Sequence, residues 1–125
     1  TILLSDEPET VKAKLKKAVT DPQKVRRNDP GRPEVCLIFS YHKKFNPSQV
    51  LQIETDCRSG ALGCVDCKLN CSEKISSFLA PIIEKRKHYE CNMKEVLDIL
   101  ADGEARGKKA AHETMSVVHD KMKFG

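Results

Sequence analysis

No apolar run in this chain approaches the roughly 20 residues needed to cross a bilayer, which excludes a transmembrane helix. Three common catalytic frameworks are missing as well: there is no phosphate-binding glycine loop, no Gly-x-Ser-x-Gly and no His-Glu-x-x-His. Apolar residues nowhere sustain a period of two, which leaves little room for a sheet, and there are no internal repeats or low-complexity tracts. No secretory leader opens the chain. With its many lysines, glutamates and helical patterns, it reads as a protein of the reducing cytoplasm. An initiator Met is also absent, and the abrupt Thr1-Ile2-Leu3-Leu4 start reads as a piece of something longer. His42, His88, His112 and His119 are scattered and read as surface or packing residues. His42 alone stands out, because Tyr41-His42-Lys43-Lys44 joins a ring, an imidazole and two cations. Such a group can stack on a base and neutralise phosphate, although it reads equally as a cationic helix C-terminus.

What the chain does have is cysteine. Cys36, Cys57, Cys64 and Cys67 are separated by twenty, six and two residues, a spacing that suits a thiolate cage. Cys64 and Cys67 form a Cys-x-x-Cys pair whose sulfurs share one side of a helical turn. Gly60 and Gly63 would let the intervening backbone fold close to a metal centre and offer N–H groups to its sulfurs. Four thiolates suit zinc or an iron–sulfur cluster, and spacing does not separate the two. Buried free thiols and disulfides are the alternatives. Cys71, four residues past Cys67 on the same face, could replace a ligand, and Cys91 reads as core or an inter-helix contact.

The 125 residues suit one domain, small for an enzyme with two substrates. The net charge of +4 is unevenly placed: residues 1–44 hold ten Lys/Arg against six Asp/Glu, while the remainder balances. A polyanion such as RNA is the functional reading of the stripe Lys12, Lys14, Lys16, Lys17, Lys24, Arg26, Arg27 and Arg32; a solvated face is the plain one.

Helical periodicity runs through most of the chain. Asp6 should cap a first helix, with Pro8 in its first turn, Glu9 as capping-box partner and Val11, Leu15, Ala18 and Val19 inward. Residues 21–33, with three prolines and a glycine, form an ordered loop or linker. Further helices are expected over about 33–44, from Asn46-Pro47 to about Asp56, and over about 64–90 with a tolerated Pro81. In the long one, Ile75, Phe78, Leu79, Ile82, Ile83 and Tyr89 should face inward. Asn92 and Glu95 suggest a cap for a short helix ending at Asp102-Gly103, and a last helix should cover about 104–122. The fold class is therefore all-α, a helical bundle.

Several segments together resemble one family. They are Arg26-Arg27-Asn28-Asp29-Pro30-Gly31, Pro33-Glu34-Val35-Cys36, Ile38-Phe39-Ser40-Tyr41-His42-Lys43, Cys57-Arg58-Ser59-Gly60-Ala61-Leu62-Gly63-Cys64-Val65-Asp66-Cys67-Lys68 and Leu79-Ala80-Pro81-Ile82. With Asp98-Ile99-Leu100, Ala110-Ala111 and Thr114-Met115, they resemble the C-terminal region of bacterial tryptophanyl-tRNA synthetases of the iron–sulfur type. Tyrosyl-tRNA synthetases are related but lack the cysteine array.

The resemblance implies a connecting segment and helix over 1–22, then a helical, anticodon-binding domain of a class I aminoacyl-tRNA synthetase over 23–125. It implies that the segment like Thr1–Leu4 follows the KMSKS loop, so that the Rossmann domain, HIGH motif and tryptophan pocket lie upstream. These 125 residues alone should then be inactive, with no catalytic residues. The whole protein would use ATP to activate tryptophan and charge tRNA(Trp), as a homodimer formed through the upstream domain. Some relatives hold a [4Fe–4S] cluster on cysteines matching Cys36, Cys57, Cys64 and Cys67; zinc is the alternative. The first gap is shorter here than in that pattern, a difference falling in 46–56, where a loop and short helix can absorb it. Near the cysteines, Arg26, Arg27, Lys43, Lys44, Arg58 and Lys68 are the candidate RNA contacts.

Overall fold

A computed structural model describes residues 1–123; the last two residues of the expected 23–125 domain lie outside the described ones. Five α-helices follow in order: α1 (Pro8–Lys17), α2 (Leu37–Phe45), α3 (Val50–Ser59), α4 (Cys64–Cys91) and α5 (Met93–Met122). Single 3₁₀ turns at Pro33–Val35 and Pro47–Gln49 precede α2 and α3. No strand occurs among the described residues, and none of the helices is long and apolar enough to cross a membrane. The all-α expectation holds.

Two compact units divide the chain, Thr1–Glu84 and Lys85–Gly125. The first contains the core. Val11 and Leu15 from α1 meet Ile38 from α2 and Cys71, Ile75 and Leu79 from α4, all buried. Ile2, Ala18, Cys36, Tyr41, Phe45, Cys67 and Ile83 pack around them. In α4, the buried residues Cys71, Ile75 and Leu79 recur every four, the spacing that aligns side chains along one helix face. The second unit has no buried residue in α5. Its helices are tied by His88 Nε2 to Glu95 (2.9 Å) and by Asn92 Nδ2 donating to the His88 carbonyl (2.7 Å).

Several local expectations need correcting. Glu7, not Asp6, occupies the α1 cap position, without a side-chain cap bond. The Asp6 carboxylate instead accepts from the Leu3 N–H (2.8 Å) and from Lys14 Nζ (2.6 Å), tying the lead-in to α1. The helix stops at Lys17, so Val19 is exposed rather than inward. The helix expected at 33–44 is split, because Pro33–Val35 forms a 3₁₀ turn and Cys36 is extended before α2 begins. Phe78, Ile82 and Tyr89 are exposed, since the partners that bury α4 lie on its Ile75–Leu79 face.

Beyond α4, Asn92 makes no cap bond to the start of α5. The expected break at Gly103 does not occur either. Gly103 and Gly107 stay helical, where glycine costs only about 1 kcal/mol relative to alanine. The pairs Asp102–Arg106 (2.9 Å) and Glu104–Lys108 (2.6 Å) bridge those turns.

Candidate metal centre and nucleic-acid interface

Three elements position the cysteines of the predicted set. Cys36 occupies the cap position of α2, Cys57 the last turn of α3, and Cys64 and Cys67 the first turn of α4. All four are half-buried free thiols. They also sense one another: Cys36, Cys57 and Cys64 each contribute repulsion that raises the Cys67 thiol, and Cys36 and Cys64 do so at Cys57. Burial is the larger cause at both, pushing Cys67 up to about 12 and Cys57 above the ordinary thiol range. The four thiols thus lie near enough to influence one another, although no three of them among the described residues are arranged to hold a metal ion.

The proline-rich loop packs against Cys57. Asp21 closes the loop at both ends, accepting from Gln23 N (2.9 Å), Arg32 N (2.9 Å) and the Arg32 guanidinium (2.7 and 3.2 Å). These bonds hold its carboxyl well below the usual carboxylate range. Loop and thiol site then meet at glycines. The Cys57 carbonyl accepts from Gly31 N (2.8 Å) and Gly60 N (3.2 Å). A Cβ at Gly31 would stand 2.6 Å from the Cys57 sulfur, and one at Gly60 would run into the Asn28 carbonyl. Gly60, at φ +82°, ends α3 in the left-handed region. Gly63 lies under the Arg27 side chain. The expected close approach at Gly60 and Gly63 is therefore to the loop, and Gly31 is the glycine pressed against a thiol. A Gly between Pro30 and Arg32 reads in sequence as an ordinary turn, with no signal of the thiol beside it.

The donor set suits a thiolate-ligated centre, although no group of three or more His, Cys, Asp or Glu side chains among the described residues stands ready to hold a metal ion. A single tetrahedral ion about 2.3 Å from each sulfur would have to draw the four thiols within about 4 Å of one another. A four-iron cluster puts a separate iron under each sulfur and spaces them more widely. Lys24, buried with its ammonium donating to the Asp29 carbonyl, lies near enough to Cys57 to favour its thiolate.

Cys71 is wholly buried among Val11, Leu15, Ile38, Ile75 and Leu79, its thiol pushed up to about 12, and packs as core. Cys91 is exposed, contrary to its reading as core or an inter-helix contact. His42 is likewise corrected: it is fully buried and so cannot stack on a base. The reason is its place on α2, on the face that carries Ile38 and Phe39, so its imidazole is drawn in with them.

Two cation-lined grooves adjoin Cys64. One, of about 360 Å³, has Lys24, Arg26 and Arg27 on its wall beside Cys64 and Val65. The other, of about 220 Å³, has Lys12, Lys16 and Lys68 around Cys64, Val65 and Leu69. Among the predicted RNA contacts, Arg26, Arg27 and Lys68 line these grooves; Lys43, Lys44 and Arg58 do not. Arg27 also bonds Asp66 (3.1 Å), and Lys68 donates to the Lys16 carbonyl (3.1 Å). Lys43 sits 5.0 Å above the Phe39 ring, and Arg58 is paired with Glu34 (3.2 Å) and Glu54 (2.9 Å). Lys12 and Lys16 were legible only as part of a basic stripe; which cations would flank Cys64 depends on how α1 packs against α4.

The five helices and the absence of strands among the described residues define the class of the chain, an all-α domain. The chain belongs to the family of class I tRNA synthetases (W and Y), whose model matches residues 1–80. It is 42% identical over 97% of its length to the tryptophan–tRNA ligase of Aquifex aeolicus, covering 31% of that protein. With the tryptophan–tRNA ligase of Deinococcus radiodurans it is 39% identical over 89% of its length, covering 34% of that protein. Among solved structures it resembles tryptophanyl-tRNA synthetase from the hyperthermophilic archaeon Aeropyrum pernix K1. The TM-score is 0.56 at 36% identity, over 64% of this chain and 23% of that one. The chain thus spans about a third of the length of the curated relatives it matches.

Proposed function

We propose that this chain is the tRNA-recognising helical part of a tryptophan–tRNA ligase, with a [4Fe–4S] cluster on Cys36, Cys57, Cys64 and Cys67. The whole protein would join tryptophan to tRNA(Trp) with ATP in the cytoplasm, as a homodimer through a catalytic domain outside the present sequence. The anticodon region is the part of the tRNA this segment would meet. One observation carries the reading: Cys64 and Val65 line both cationic grooves, and Cys64 is also near enough to Cys67 to raise its thiol. The cluster's role would be positional, holding the loop with Arg26 and Arg27 against the start of α4 while these cations and Lys12, Lys16 and Lys68 hold phosphates.

Two measurements on the full-length protein test this. Purified without oxygen, it should contain about four iron and four sulfide per chain. Arg26→Ala/Arg27→Ala should weaken tRNA(Trp) binding at low salt and flatten its salt dependence by about 0.7 per lost phosphate contact. Zinc alone in the protein, or an unchanged salt slope, would refute the corresponding half.

A second reading, a metal-free helical module, is favoured by one feature. No group of three or more His, Cys, Asp or Glu side chains among the described residues is arranged to hold a metal ion.

A further inference from the structure

His42 is buried without exposure, yet its ring is fully engaged. On one side, Asn46 Nδ2 lies 3.3 Å from His42 Nδ1. A backbone carbonyl can only accept, so the contact of Nε2 with the Cys67 carbonyl places the ring proton on Nε2. Asn46 is itself buried, and the same Nδ2 donates to Gln49 (2.8 Å) and lies 3.3 Å from Asn70 Oδ1. On the other side, His42 Nε2 faces Cys67, 3.2 Å from its carbonyl oxygen and 3.4 Å from its sulfur. The chain Gln49–Asn46–His42–Cys67 thus runs from the 3₁₀ turn before α3 to the first turn of α4 and ends on a thiol of the array.

We propose that His42 is a positioning residue for the metal centre: its Nε2–H donates to the Cys67 sulfur and carbonyl, fixing where that thiolate points. The inference rests on the cluster reading above and adds to it a residue outside the thiolate set. The physical case is direct. A donor aimed at a ligating sulfur takes up part of its negative charge, which raises the cluster's potential and slows loss of the ligand. Such outer partners typically change metal affinity 10- to 100-fold when removed. His42 also bonds the backbone of the same residue, so it restrains both the sulfur and the helical turn that carries Cys64 and Cys67.

The test uses the full-length protein purified without oxygen, in wild-type form and as His42→Leu and His42→Gln. Leucine fills the space without a donor, while glutamine can place an N–H near the position of Nε2. Visible absorption would follow cluster loss to EDTA, and redox titration would give the midpoint potential. His42→Leu should lose its cluster at least about 10-fold faster than wild type, at a lowered potential, and His42→Gln should recover most of both. Equal lifetimes and potentials in wild type and His42→Leu would overturn the assignment while leaving the cluster reading intact. Wild-type protein without iron would overturn the cluster reading and this inference together. Should His42→Leu fail to fold, wild-type protein with ¹⁵N-labelled histidine decides the matter. The reduced cluster should show hyperfine coupling to one histidine nitrogen, and its absence would refute the contact.

Discussion

The two units of this chain both carry apolar stripes on their helices and differ in what those stripes meet. In Thr1–Glu84, the stripes of α1, α2 and α4 close on one another, and Leu15, Ile38 and Ile75 are almost wholly buried. In Lys85–Gly125, Met93, Leu97, Leu100 and Met115 recur at similar spacing along α5, yet each is exposed, Leu100 to 61%. Ion pairs four residues apart line that second unit: Arg86–Glu90 (2.6 Å), Asp102–Arg106 and Glu104–Lys108. Periodicity therefore specifies a helix and a face; burial is decided by whether a second face is present to receive it.

Truncating one leucine in each unit should break the symmetry most sharply. Leu15→Ala removes a core side chain from between α2 and α4 and should cost about 2–5 kcal/mol, through lost burial and the cavity left behind. Leu100→Ala leaves a residue already in water and should change stability by no more than about 0.5 kcal/mol. Amide hydrogen exchange, read separately over α1–α4 and over α5, checks both. Comparable losses of protection would mean that the stripe on α5 is covered in solution.

Glycines give the next largest contrast, and here the sign itself should reverse. Gly60→Ala forces a Cβ onto the Asn28 carbonyl at a residue held at φ +82°, so it should destabilise the thiol-bearing unit by about 1–3 kcal/mol or more. Gly103 has open space around its Cβ position inside a continuous helix. Gly103→Ala should stabilise α5 by up to about 1 kcal/mol. Circular dichroism melts would show the opposite shifts, and a destabilised Gly103→Ala variant would contradict the unbroken helix.

Those glycines also mark the boundary of what could be read from the sequence. The helices were legible because Val11/Leu15 and Cys71/Ile75/Leu79 repeat at helical spacing, and the place of Cys64 and Cys67 in one helical turn followed from their gap. Gly103 was misread because an Asp-Gly pair resembles a helix stop wherever no packing is visible to overrule it. His42 was misread for the converse reason. A polar side chain between Tyr41 and Lys43 looks solvent-facing until the face it shares with Ile38 and Phe39 is known to be the buried one. Of the RNA candidates, Arg26 and Arg27 came from proximity in the chain, whereas Lys12 and Lys16 depend on contact between α1 and α4, which only the fold supplies.

The smallest expected difference lies in the response to alkali. Cys67 and Cys71 sit where burial pushes their thiols up to about 12 from an ordinary value of 9.0. Below that ordinary value, both thiols are protonated in the folded and unfolded chain, and their contribution to stability is fully present. As pH rises past it, the unfolded chain gives up these protons while the folded one keeps them. The folded state then binds more protons, and stability falls progressively toward pH 12. Metal-free protein should therefore melt at a lower temperature at pH 10 than at pH 8 across α1–α4. The exchange protection of α5, whose sequence contains no cysteine, should move far less. Thiol reagents sharpen the same contrast: exposed Cys91 should react first and buried Cys71 last. Loading the thiols with metal removes Cys67 from this balance, because a ligating thiolate has already released its proton. Loaded protein should thus lose less stability than metal-free protein over that pH interval. Identical alkaline profiles with and without metal would mean that Cys67 is not a ligand.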